Sequence, residues 1–135
     1  MSAITGDDLR ISVGPTQADA QLVLQLAQLS QTPAMERGQA LLWKHRPTGG
    51  LSWEEFQGFD VESEDYGGVM AVLKWHETIG TLVKQGLLNR ELVLDWLWVS
   101  GTWELCRSIA LGQRAETGVP QMWENFEALA ASQTD

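Results

Sequence analysis

The chain is poor in most residue types that carry recognisable chemistry. It holds one cysteine, two histidines, one tyrosine and four prolines in 135 residues. A single cysteine forms no intramolecular disulfide, so the fold is not a disulfide scaffold. Basic side chains are scarce: 9 Lys and Arg stand against 18 Asp and Glu, a formal net charge of -9. Phosphate backbones are bound by basic surfaces, so no nucleic-acid partner is expected. Long apolar runs are missing. The strongest, Leu92 to Val99, is eight residues with Asp95 inside it, whereas a membrane-spanning helix needs about 20. Met1 to Asp8 shows no basic stretch leading into an apolar one, and no lipidation motif is present. The expectation is therefore a cytoplasmic protein without a membrane partner.

What is present is an ordinary globular composition, 44% hydrophobic and 20% charged. That balance belongs to a folded domain. The length fits one domain and is enough to bury about two thirds of the surface exposed by the unfolded chain. No repeat, linker or low-complexity tract divides it, so the pattern predicts a short irregular segment over 1–15 and one α-helical domain over 16–131.

Within the first segment, Leu9 to Val13 alternates like a short strand that Gly14-Pro15 stops. Helical signals then follow in series. Thr16 with Asp19 opens a helix to about 31, with Ala18, Leu22, Leu26 and Leu29 as its apolar stripe. Thr32-Pro33 starts a second helix to about 45, and Pro47 to Gly50 forms a loop. Ser52 with Glu55 makes a capping box for a short helix bearing Trp53, Phe56 and Phe59. The longest helix is expected over 65–85, ended by Gly86. Asn89 caps the next, which breaks near Ser100-Gly101-Thr102 and resumes to Thr117. Pro120 starts the last, which fades by Ala131. The fold class is all-α, an irregular bundle of six to seven helices.

Motifs for catalysis are absent. There is no Gly-rich phosphate loop and no paired-cysteine motif. His76-Glu77-Thr78-Ile79-Gly80 opens like a zinc-protease helix but lacks its second histidine. Neither a metal nor a cofactor is expected. His76 falls in the middle of the apolar face formed by Val69, Val72, Leu73, Ile79 and Val83, where burial keeps an imidazole neutral. His45 lies on the apolar side of its own helix with Leu41 and Leu42. Arg107 and Arg114 are two turns apart on one face with Trp103. They suit either a bound carboxylate or phosphate, or internal pairs with Glu104, Glu124 or Glu127. Cys106 sits on an apolar arc with Ile109 and Ala110, the place of an inert thiol. The acids Glu54, Glu55, Asp60, Glu62, Glu64 and Asp65 form a block without a base. They read as helix-start charges and a solvated rim, or as a docking face for a basic partner or a weak divalent-cation site, although the spacing is not that of an EF-hand.

The seven tryptophans are the unusual excess. Trp53, Trp75, Trp103 and Trp123 suit apolar faces. Trp96 and Trp98 point about 200° apart on a continuous helix, so one core cannot take both. Either that helix is central and surrounded, or Leu94 and Trp98 reach a partner. Trp43 lies among Glu36, Gln39 and Lys44 and poses the same question. Tryptophan is enriched at interfaces, so Trp43, Leu94 and Trp98 form the candidate contact surface for a protein partner or a second copy.

From Tyr66 to Leu129 the chain resembles a family of small helical bacterial proteins known only as a domain of unknown function. The matching phrases are Trp75-His76-Glu77-Thr78-Ile79-Gly80 running on to Gly86-Leu87-Leu88, then Glu91, Val93, Trp103, Arg114 and Gly118. They close on Trp123-Glu124-Asn125-Phe126-Glu127. The resemblance implies an all-helical fold and brings no activity or catalytic residue. Read as architecture, it suggests that Glu77 pairs with Arg114 and that Gly80 admits a neighbouring helix. The expected function is a protein-interaction or regulatory module rather than an enzyme. The alternative is a small-ligand site, enzymatic or not, around His76, His45, Arg107 and Arg114. An acidic mimic that blocks a nucleic-acid-binding partner is a third option, resting on charge alone.

Overall fold

A computed structural model describes residues 14–134. The strand-like stretch at Leu9 to Val13 lies outside the described residues, and Gly14 to Thr16 are irregular. The described residues form seven α-helices and one 3-10 turn, with no strand among them. In order they are α1 (Gln17–Leu29), α2 (Pro33–Lys44), the 3-10 turn Arg46–Thr48, α3 (Trp53–Gln57), α4 (Glu64–Lys84), α5 (Arg90–Trp96), α6 (Val99–Thr117) and α7 (Glu124–Ala131).

The first five helices begin where short polar side chains satisfy their free amides. Thr16 accepts from the Asp19 amide at 3.2 Å, and Asp19 accepts from the Thr16 amide at 2.7 Å. Ser52 and Glu55 form the second such box at 3.1 and 3.4 Å. Thr32, Ser63 and Asn89 accept from Met35, Tyr66 and Leu92.

Helix α4 is the axis of the fold. Val69, Val72, Leu73 and Ile79 on it are fully buried, and α2 and α7 pack along it. The α2–α4 crossing is made by glycine. A Cβ at Gly38 would fall onto the Gly68 carbonyl, and one at Gly68 would sit 2.7 Å from the Gly38 nitrogen. Gly80 does the same for α7, because its missing Cβ leaves room for the Asn125 backbone. α6 packs against α7 and carries α3 on another side.

Three expectations about the elements need correction. The break before α6 falls at Leu97-Trp98, not at residues 100–102. Leu97 is extended (φ -120°, ψ 143°) and Trp98 occupies the position before the first helical residue. The Gln133 side chain stabilises that break from the far end of the chain. It accepts from the Ser100 amide at 2.8 Å and donates to the Leu94 and Leu97 carbonyls at 3.1 and 2.8 Å. The last helix starts at Glu124 instead of Pro120, because Trp123 adopts a left-handed conformation (φ 64°) while its indole donates to Gln113 Oε1 at 2.6 Å. Finally, the buried stripe of α1 is rotated. Leu26 is buried with Leu22 and Val23 beside it, and Ala18 and Leu29 are exposed. Asp19 turns inward instead, where its Oδ1 accepts from the Asn89 amide at 2.9 Å.

Candidate functional site

His76 is buried as its position on α4 implied, 5% exposed. Its ring stacks on Phe126 at 4.7 Å and meets the edge of Trp75 at 4.9 Å. Nδ1 lies 2.8 Å from the Val72 carbonyl, which can only accept, so Nδ1 carries the hydrogen. Burial pushes the pKa down to about 4, against the opposing pull of that carbonyl. His76 is therefore neutral at pH 7. The ring belongs to an aromatic series that runs from Trp96 through Trp75, His76 and Phe126 to Trp103.

The other residues expected around His76 stand elsewhere. His45 ends α2, with Nδ1 3.0 Å from the Leu41 carbonyl and Nε2 3.2 Å from Glu55, which ties α2 to α3. Arg107 is exposed. Arg114 donates to the Met122 carbonyl and to Glu127, both at 2.8 Å, over the Trp103 ring at 5.8 Å. This is the internal alternative foreseen for the arginines, realised for Arg114. The expected Glu77–Arg114 pair is replaced by a different arrangement. Glu77 accepts from the Asn125 and Phe126 amides at 3.0 and 2.9 Å and from Asn125 Nδ2 at 2.9 Å. The physical reason is that Trp123 supplies no side-chain cap for α7, and a carboxylate suits the free amides at a helix start. Both residues hold α7, at different points. Cys106 is fully buried, and burial pushes its thiol up to about 12, so it is inert as a nucleophile.

The tryptophan question resolves through the break in the helix. Trp96 and Trp98 belong to different local structures, so no single helix has to hold both. Trp96 packs edge-on against Trp75 at 5.6 Å, and Leu94 is half-buried against the core. Trp43 and Trp98 remain half-exposed at 53% and 49%. They meet edge to face with centroids 6.4 Å apart. The Arg46 guanidinium lies 4.8 Å from the Trp43 ring centre and 5.7 Å from that of Trp98. Such cation–π contacts fix the arginine while leaving its hydrogen-bond donors for a partner. Gly101 seats the Trp98 ring, since any Cβ there would collide with it.

Beside this cluster is a cleft of about 430 Å³ between the turn after α2, the start of α6 and the end of α7. Its polar lining includes Arg46, Glu104 and Glu127, and Trp98 and Trp103 supply apolar wall. The volume is in the range of small-molecule or side-chain sites. Sequence reasoning missed Arg46, although its position three residues after Trp43 is the spacing of helical neighbours. It also missed Glu104 and Glu127 as cleft residues, and nothing local signals them. Among the described residues, no three His, Cys, Asp or Glu side chains group as metal ligands, and no helix is long and apolar enough to cross a membrane.

No curated protein and no solved structure matches the chain. A family model does, over residues 15–133, nearly the whole length and well beyond the stretch from 66 to 129 that carries the matching phrases. The helical scaffold, with its glycine crossings and its capped α7, is thus that of a protein that belongs to DUF4760, a domain of unknown function.

Proposed function

We propose that the protein is a protein-interaction module whose contact face is the Trp43–Arg46–Trp98 cluster with its adjoining cleft, and that its occupant is a second copy of the chain. The observation that carries this reading is the pair of half-exposed tryptophan rings held under one arginine. Tryptophan and arginine are the residue types that dominate binding energy at interfaces. Two-fold contacts present the same patch from both sides and must be self-complementary. Charges of both signs, which a self-complementary contact needs, are available here, because Arg46 shares the cleft with Glu104 and Glu127. Leu94, half-buried, adds little to such a contact.

Sedimentation velocity over a range of concentrations tests it. The wild type is expected to pass from monomer to dimer, and Trp98→Glu to need at least about 30-fold more protein, the equivalent of a 2 kcal/mol hot spot. Leu24→Glu, at an exposed position on α1, should dimerise as the wild type does. A wild type that stays monomeric throughout, or a Trp98→Glu protein that associates normally, would overturn the reading.

A further inference from the structure

Beneath the two exposed tryptophans is a second, smaller cavity of about 150 Å³, between α2, α4, the Leu97-Trp98 turn and α6. Leu42, Val72, Trp75, Leu97 and Leu105 form its apolar walls, Trp43 and Trp98 border it, and His76 lines it. No charged side chain lines it; Gln39 and Thr102 are its other polar residues.

The histidine gives the cavity a chemical preference. Nδ1–H is committed to the Val72 carbonyl, so in the neutral ring Nε2 is an acceptor with a free lone pair. Nε2 makes no hydrogen bond within the described residues, yet no side-chain nitrogen or oxygen among them is both fully enclosed and unpartnered. Nε2 therefore keeps access to open space, although the residue as a whole is 95% covered. An acceptor that still opens to space takes whatever donor reaches it, water or the polar group of a ligand. Cavities of about 150 Å³ with apolar walls admit benzene-sized molecules.

We propose that this cavity is a ligand site for an uncharged, benzene-sized molecule bearing one hydroxyl or N–H group, which donates to His76 Nε2 while its apolar body packs among the leucines and tryptophans. The site does not rest on self-association, because every group it uses lies within one chain. Charged ligands are disfavoured, since the walls offer no counter-ion. Metal binding is disfavoured too, since His76 is the cavity's single metal-ligating side chain.

Phenol and toluene are the discriminating probes, being nearly the same shape with and without the donor. Each is titrated into the wild type, followed by the imidazole ¹⁵N resonances of His76 and by tryptophan fluorescence. Phenol is expected to bind saturably, to shift the Nε2 resonance more than Nδ1, and to bind about fivefold tighter than toluene, the worth of one net hydrogen bond. In His76→Phe, which keeps an aromatic ring of similar size against Phe126, the two probes should bind alike. Phenol no tighter than toluene, an unmoved Nε2 resonance, or no saturable binding of phenol would each overturn the proposal. The wild-type comparison stands without the variant, so poor folding of His76→Phe does not blunt it. Sedimentation is not part of the readout, so failure here and failure of the dimer are separate results.

Discussion

His76 is a stable, neutral imidazole because its surroundings make protonation expensive, and that has a consequence for acid stability. Its pKa in the fold is about 4, below its ordinary 6.5. Above pH 6.5 neither the folded nor the unfolded chain holds the proton, and the stability is full. Between 6.5 and about 4 the unfolded chain takes the proton and the folded chain does not, so stability falls as the pH drops. Below about 4 both forms are protonated and the loss levels off. The full loss from this group is about 3 kcal/mol, because each tenfold weakening of proton affinity in the fold is worth about 1.4 kcal/mol. Urea midpoints at pH 7, 5.5 and 4.5 should therefore fall less steeply for His76→Phe than for the wild type. Parallel curves would show that the histidine contributes nothing to the acid sensitivity. Asp19 and Glu55, whose pKa values are lowered chiefly by hydrogen bonds from Thr16 and Ser52, lose stability in acid in both proteins alike.

Among the helices, the pairing of α2 with α4 depends on two glycines and is blind to a third. Gly68 touches the backbone of Gly38, whereas its neighbour Gly67 faces open space on the same helix. Gly68→Ala should destabilise by more than the roughly 1–3 kcal/mol of ordinary overpacking, because the obstructing atoms are backbone and have no rotamer to adopt. Gly67→Ala should instead stabilise by about 0.5–1 kcal/mol, through helix propensity. Thermal melts of the two single variants decide it. A Gly68→Ala protein as stable as the wild type would mean that the helices can separate at little cost.

Four helix starts, at Thr16, Thr32, Ser52 and Asn89, were legible in sequence because each cap joins residues within one turn. Thr16 with Asp19 and Ser52 with Glu55 are found as the spacing implied. The start of α7 was not legible. Its cap is Glu77, 48 residues earlier in the chain, and only the packing of α4 on α7 brings that carboxylate to those amides. The break before α6 has the same origin, because Gln133 holds it from 33 residues away.

For the molecule as a whole, the order of unfolding should follow the distribution of buried contacts. α4 lies between α2 and α7 with eight buried residues. α1 buries two residues and exposes Leu24 and Leu29 at 65% and 58%. Its ties to the rest include the Trp75 indole on the Leu26 carbonyl at 2.9 Å and Asp19 on the Asn89 amide. Amide hydrogen exchange is expected to be slowest in the middle of α4, with α1 opening first at a lower free-energy cost. Equal protection in α1 and α4 would contradict this and indicate one cooperative unit.

The residues alone were enough to establish an all-helical chain, the helix starts at Thr16, Thr32, Ser52 and Asn89, the burial of His76 and Cys106, and the two tryptophans that no core explains. These features follow from 3.6-residue periodicity and from hydrogen bonds that span three or four residues, so neighbours in sequence suffice to define them. The partners of Glu77 and Arg114, the break at Leu97-Trp98, the arginine laid over Trp43 and Trp98, and the cavity lined by His76 needed the folded chain. Each joins groups from separate helices, and only their relative placement, set at Gly38, Gly68 and Gly80 by backbone contact, determines which side chains meet.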